Sequence, residues 1–458
     1  MSKLTPTTYL NPIPEQLFSP IIQPQRVLKN LWGLRHYPSS ILPLVIFRIG
    51  FGLLMFGSTV RFINNGWVTA FYLEPDFHFK YYGFEWVEPI WGLLWVFWAI
   101  AGLSLLITVG LLYRFSIISF FILFTYTELL DKTYYLNHYY FISLLSFLLI
   151  FLPLNRAYAI DCWLWPRLKT ELVPRWTIAT IQLQLSIVYI FAGIAKLQPD
   201  WLFHALPLRI WLKGHTNLPL IGGLMELDAT AYLMSWGGAI YDLTIPFWLL
   251  YRPTRPWAYL AVIIFHLMTG WLFLIGVFPY VMIICTLIFF SAEDWHTLTG
   301  WRIPAPNLKG LRSPPTPSLS KIILTIFFIY QLLFPLRHWL YPGNLLWTEE
   351  GYRFAWHVMA VEKTGQVIFQ VTDPVTNQHW NVYPKTHLTY QQEKQMSFQP
   401  DMILELAHYL EEQIGRDVEI RAEAWVSLNG RASRLLIDPT VDLTQEEEGW
   451  QAKTWVLH

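Results

Sequence analysis

The chain has 458 residues, 54% hydrophobic, 17% aromatic and 14% charged, with equal numbers of basic and acidic side chains and a mean hydropathy of +0.34. Soluble globular domains carry about 25% charge, so this composition excludes an ordinary cytosolic enzyme, and its aromatic content excludes a disordered chain. The missing basic excess argues against a nucleic-acid partner. Two cysteines without a spacing pattern, Cys162 and Cys285, exclude a disulfide framework and a Cys-ligated zinc site.

The neutral total hides a split. Residues 1–340 carry 23 basic and 15 acidic side chains, a balance of +8, and residues 341–458 carry 9 and 17, a balance of −8. The stretch TPTTYLNPIPEQLFSPIIQP within 1–40 is polar and Pro-rich, without a basic segment leading into an apolar one. It does not read as a cleavable signal peptide, and the first apolar run is expected to direct insertion. A spanning helix needs about 20 mostly apolar residues. Candidates fall at 41–60, 90–112, 115–130, 138–154, 177–196, 232–250, 257–275, 278–291 and 320–336. The last two before the linker meet at GVFPY (276–280) and can form a hairpin that does not fully cross, which leaves the parity unchanged.

Nine crossings put the termini on opposite sides. With the N-terminus inside, the inner segments hold fourteen Lys and Arg and the outer connections 61–89, 131–137, 197–231 and 276–277 hold five. The positive-inside rule therefore predicts a cytoplasmic segment 1–40, a membrane domain 41–340 and an extracytoplasmic domain 341–458. The long aromatic outer loops 61–89 and 197–231 are expected to carry short interfacial helices that form a lid. After the Pro/Ser-rich linker 304–318 and the last span, the pattern changes. QVIFQVT (366–372) and QHWNVY (378–383) flank a hairpin signal, 399–415 has helical spacing, and 418–428 and 432–438 flank Asn429-Gly430, a tight-turn signal. The expected architecture is a polytopic α-helical membrane protein of about nine transmembrane helices with a C-terminal soluble α+β domain.

Charge at membrane depth is costly and asks for a reason. Arg48, Glu128, Asp131, Lys196, Asp242 and His266 are such residues. Arg48 and Asp242 both fall near mid-depth, and an interhelical ion pair is the plain reading. Lys196 closes IVYIFAGIAKLQPDW after Ala192, Gly193 and Ala195, small residues that admit a neighbouring helix or a flat ligand. It either snorkels to the outer surface or, with restricted hydration, acts as a general base. LDKTYYLNHYY (130–140) puts Asn137 and His138 at the outer end of the fourth span, and His266 lies inside the seventh. A histidine there is either a helix–helix hydrogen-bond partner or part of a site with Lys196. No HExxH, Walker, GxSxG or GxGxxG arrangement is present.

These residues carry a resemblance. LDKTYYLNHYYF (130–141), IVYIFAGIAKLQPDW (187–201), FHLMTGWLFLIGVFPYVM (265–282), GYRFAWHVM (351–359) and AWVSLNGRASRLLIDPTVDL (424–443) resemble, in one order over most of the chain, the vitamin K-dependent γ-glutamyl carboxylases, including bacterial members with an HTTM-type transmembrane domain. The resemblance implies a membrane enzyme in which a lysine deprotonates vitamin K hydroquinone of the menaquinol or phylloquinol type. Oxygen then converts it to the epoxide through a strongly basic alkoxide, which removes a γ-proton from a protein glutamate so that CO2 adds. By that resemblance Lys196 is the catalytic base and Asn137, His138 and His266 bind the quinone. No metal is implied. Membrane lipid surrounds the isoprenoid quinone, and a glutamate-containing secreted polypeptide is the implied partner. Aromatic side chains such as Trp201 or Tyr189 offer flat walls. The animal members continue well beyond DPTVDL, and their disulfide to the C-terminal domain has no counterpart in Cys162 and Cys285. The alternatives are a hydroquinone epoxidase without carboxylase activity and a non-catalytic quinone- or lipid-binding membrane protein. A transporter lacks its usual pair of broken spans.

Overall fold

The computed structural model describes residues 38–273, 275–299 and 318–458. The N-terminal segment as far as residue 37 and the linker as far as 317 lie outside the described residues. Each predicted apolar stretch forms a helix: α1 Leu42–Asn64, α2 Leu93–Val109, α3 Tyr113–Leu129, α4 Asn137–Phe151, α5 Arg175–Ala195, α6 Asp228–Leu250, α7 Arg255–Phe273, α8 Phe278–Thr286 and α9 Ser318–Leu333. Four segments among the described residues are long and apolar enough to cross a membrane: α1, α5, α7 and Leu319–Leu340, which carries α9 on through a 3-10 turn. Leu93–Val109, Asn137–Phe151 and Phe278–Phe289 are shorter apolar helices. At 1.5 Å per residue such helices reach about 25 Å or less, below the ~30 Å of a hydrocarbon core. Nine expected crossings thus exceed the four that meet the length and apolarity of a span.

The helices share one apolar core running from Leu44 and Phe51 on α1 through Phe120 and Leu145 to Leu185, Val262 and Cys285. Close approach has a local cause. A Cβ at Gly52 would sit 2.7 Å from the Ser104 carbonyl oxygen, so only glycine lets α1 lie this near α2. Arg48 does not pair with Asp242. It enters only two turns into α1, and its guanidinium caps the chain after α4, donating to the carbonyls of Leu154 (2.9 Å), Ala157 (3.3 Å) and Tyr158. These carbonyls have no helical partner of their own, and a guanidinium satisfies several at once. Cys162 and Cys285 are both free thiols.

The loops predicted to form a lid do carry short helices, Trp67–Tyr72 in the first and Pro199–His204, Leu208–Trp211 and Gly222–Met225 in the second. They meet the C-terminal part, a sheet of β1 Lys363–Thr372, β2 His379–Val382, β3 Glu419–Leu428 and β4 Arg434–Leu435, antiparallel throughout in the order β2-β1-β3-β4. Two helices cross over between β2 and β3: α10 Tyr390–Met396, opened by a Thr389/Gln392 capping box, and α11 Pro400–Ile414. Along β3, Ile420, Ala422, Ala424 and Val426 are buried against α11 while Arg421 and Trp425 face outward, the period-2 pattern of a half-covered sheet. The expected strand 432–438 shrinks to two residues because Ile437 bridges Val456 instead of continuing along β3.

Two rings cross between the helical and sheet cores. Phe79, from the connection between α1 and α2, is wholly buried in the sheet's core, and Trp356, from the segment between α9 and β1, is wholly buried in the core of the helices. Charge backs the contact. Lys132 Nζ lies 3.0 Å from Asp401, 2.9 Å from Glu405 and 3.5 Å from Glu448, and Arg353 lies 2.6 Å from Asp401. Burial works against both cations and is outweighed by the carboxylates, so both are held above their usual range. Burial pushes Glu405 up to about 7, despite Lys132.

Candidate active site

Lys196 is the residue that closes α5. Its Nζ is buried and meets three acceptors: Asp242 Oδ2 at 2.8 Å, the Ala192 carbonyl at 3.2 Å and the Val358 carbonyl at 3.4 Å. The Trp201 ring stands 5.2 Å from it, in cation–π range. Trp201 is itself fixed, because its indole N–H donates to the Ser235 carbonyl at 2.7 Å and the Ser235 hydroxyl returns a bond to Trp201. Gly193 makes the pairing with Asp242 possible. A Cβ there would lie 2.7 Å from Leu243 Cγ and 3.0 Å from its backbone nitrogen, so the small residue lets α5 press onto α6 one turn from Lys196 and next to Asp242. Pro246 adds a second local cause: it has no N–H to give the Asp242 carbonyl four residues earlier.

The pair faces a cavity of about 540 Å3, walled by Tyr189, Tyr241, Phe265, Phe278 and Met282, with His266 on the same wall. His266 Nε2 shares a 3.0 Å hydrogen bond with the Tyr189 hydroxyl, while its Nδ1 is buried without a partner. A buried polar atom with no partner is costly, and one on a residue that lines an apolar cavity is a candidate partner for a ligand hydroxyl. The cavity therefore fits a flat apolar ring that carries a polar edge. Its volume falls within the range of small-molecule sites.

Lys196 and His266 are thus brought to one cavity. Asn137 is not on it. Its side chain accepts from the Tyr135 hydroxyl at 3.1 Å, and that hydroxyl accepts from the Phe354 amide at 2.8 Å. Asn137 lines a neighbouring polar cavity of about 640 Å3 with Lys132, Arg353, His357 and Lys394. The two cavities share Phe273, Ile275 and Met359 as a common wall. His138 is buried between the rings of Tyr139 and Phe278, 4.6 and 5.7 Å away, and the far neighbour of Phe278 is His266 at 5.5 Å. Phe278 therefore separates the two histidines.

Other features of the site are not legible in the sequence. Asp242 stands out there as a buried charge, but its depth suggests Arg48 as partner, and no spacing rule links it to Lys196, 46 positions earlier. The segment 351–360 carries the second group. Phe354, Trp356 and Met359 all hold left-handed backbone, φ +64°, +61° and +52°, a conformation that costs non-glycine residues about 1–3 kcal/mol each and clusters at functional sites. It is held by Trp356 in the helical core and delivers the Val358 carbonyl to Lys196 and His357 to the polar cavity. Burial holds His357 neutral, its pKa down to about 3, with Lys196 a lesser cause. Sequence pattern carries no sign of such backbone. Among the described residues no group of three or more His, Cys, Asp or Glu side chains is arranged to hold a metal ion.

An apolar helical unit with four segments fit to cross a membrane, capped by an α+β part and holding a buried charge pair beside an aromatic cavity, is the class of protein described. An HTTM domain model matches residues 36–295, and the model of the vitamin K-dependent gamma-carboxylase lumenal domain matches residues 316–458. The chain belongs to the vitamin K-dependent gamma-carboxylase family. No solved structure matches it significantly.

Proposed function

We propose that the protein is a vitamin K-dependent γ-glutamyl carboxylase of the membrane, coupling oxygenation of a reduced naphthoquinone with O2 to carboxylation of glutamate with CO2. The observation that carries this reading is a buried lysine lining an aromatic cavity that is also lined by a histidine with one unpartnered ring nitrogen. Reduced vitamin K supplies the oxygen chemistry when bound. Lys196 takes the proton of a ring hydroxyl, His266 Nδ1 bonds a ring oxygen, and Tyr189 fixes the imidazole. Phe265, Phe278 and Tyr241 exclude water, which keeps a strong base from being quenched. His138 orients the site through Phe278, and Asn137 acts from the polar cavity, where a glutamate side chain meets the shared wall at Met359.

The same reading holds that an odd number of crossings, with α7 and α8 free to form a hairpin that does not fully cross, leaves the N-terminus cytoplasmic and residues 341–458 as an extracytoplasmic domain. The fourteen-to-five charge asymmetry supports it, as does the contact of the predicted outer connections with the C-terminal part. Purified protein given reduced vitamin K and oxygen is expected to form the epoxide, and to fix labelled CO2 into a glutamate peptide. Epoxide without fixed label leaves an epoxidase. Binding of the quinone without epoxide leaves a quinone-binding protein.

A further inference from the structure

We propose that Asp242 is the positioning residue of the Lys196 base, holding Nζ at the cavity wall and balancing the ammonium that forms when Lys196 takes the hydroquinone proton. The inference rests on the function proposed above and deepens it. It starts from the count of protons. An ammonium has three N–H donors and no acceptor, and three acceptors surround Nζ: Asp242 at 2.8 Å, Ala192 at 3.2 Å and Val358 at 3.4 Å. The structure therefore holds the charged form fully satisfied. A neutral amine has two N–H donors and one lone pair. It keeps the two shorter contacts and gives up the longest, so the lone pair takes the direction of Val358, which itself lines the cavity.

The step balances without any further reagent. The ring O–H bond breaks, an N–H bond forms at Nζ, and the oxygen keeps the electron pair. Before the step the pair carries one negative charge on Asp242. After it the pair is neutral and the hydroquinone oxygen carries the charge. Without Asp242 the new ammonium would stand in an apolar cavity with only the quinone oxygen to balance it, and burying an unpaired charge is costly. Asp242 therefore balances the charge that Lys196 takes on. Tyr189 on α5, Tyr241 on α6, His266 on α7 and His357 on the 351–360 segment are the other titratable groups facing the pair. None of them is a carboxylate, and α8 and the Pro199–His204 helix present Met282 and Trp201.

The test compares Asp242→Asn and Asp242→Glu with the parent in two measurements. One is the pH dependence of epoxide turnover. The other is the pH dependence of Lys196 acetylation by a small membrane-permeant anhydride, read by mass spectrometry, which needs no turnover. A carboxylate this close moves a neighbouring titration by about one to three pH units. Asp242→Asn is expected to shift the rising limb of both profiles toward acid by that amount and to lower the turnover plateau about tenfold or more, as a weaker base requires. Asp242→Glu keeps both limbs close to the parent's and stands in if the asparagine variant does not fold: a Glu profile displaced as far as Lys196 acetylation in the unfolded chain would then overturn the proposal. Unmoved limbs in Asp242→Asn overturn it while leaving the carboxylase reading intact. A parent that forms no epoxide, with the acetylation limb shifted as expected, overturns the carboxylase reading and leaves the pair standing.

Discussion

At the scale of single residues, the site turns on Lys196. Its buried Nζ is held by three acceptors and the Trp201 ring at the wall of the cavity. Lys196→Ala is expected to lower epoxide formation by about 10²- to 10⁴-fold, the usual contribution of a general base, with the protein still folded by thermal melting in detergent. A small alkylamine should restore part of the activity by filling the vacated space beside Asp242. Near-native turnover in Lys196→Ala would make the lysine an interfacial anchor. His138→Ala should cost less, because Phe278 stands between it and His266.

At the scale of elements, the helices were legible because apolar runs of helical length have few other fates in a chain this poor in charge. The observed ends of α1, α5 and α7 fall within four residues of the expected ones. The strands β1 and β3 were legible from their alternation, and the hairpin from Asn429-Gly430. What the sequence hid is contact. Asp242 and Lys196 meet because Gly193 lets two helices touch, and a glycine in an apolar helix has many possible reasons. The left-handed run around Trp356 consists of ordinary residues that only the surrounding packing forces into that backbone. Of the four residues taken for the site, two share its cavity and two stand behind a ring or a wall. Gly193→Val tests the helix contact. Overpacking costs about 1–3 kcal/mol, so the variant should melt lower and lose epoxide turnover by separating Nζ from Asp242. Leu243→Ala in the same chain should recover part of both, since Leu243 Cγ is the first atom met. Equal melting and turnover in Gly193→Val would show that the helices need no such approach.

At the scale of the whole molecule, the contact between the two parts is charged, buried and sensitive to pH. Glu405, raised to about 7, binds its proton more tightly in the folded protein than in the unfolded chain. Its contribution is fully present below the ordinary carboxylate range and is lost as pH rises toward 7. Asp401 has the opposite sign, since Arg353 and Lys132 overcome its burial and hold it low, so its contribution is lost only in acid. Melting temperature should therefore fall between about pH 5 and 7, and Glu405→Gln should flatten that slope. An unchanged slope would place the titration elsewhere. The orientation of the contact has its own check. Asn377→Cys, in the exposed turn between β1 and β2, should react with a membrane-impermeant maleimide in intact spheroplasts. Reaction only after lysis would reverse the proposed topology.

The exchange of Phe79 and Trp356 between the two cores also fixes an order in time. A ribosome releases α1 to α9 before it releases residue 356, so the helices must wait in the bilayer with a gap where that indole belongs. The sheet, emerging last, finds Phe79 already waiting on the outer loop. Each core thus lacks one of its rings until the other part is in place. The Val358 carbonyl arrives at Lys196 on the same segment as Trp356, so the base acquires its last acceptor only when the chain is whole. A product truncated before residue 356 would lack both the indole that fills the helical core and the Val358 acceptor of Lys196.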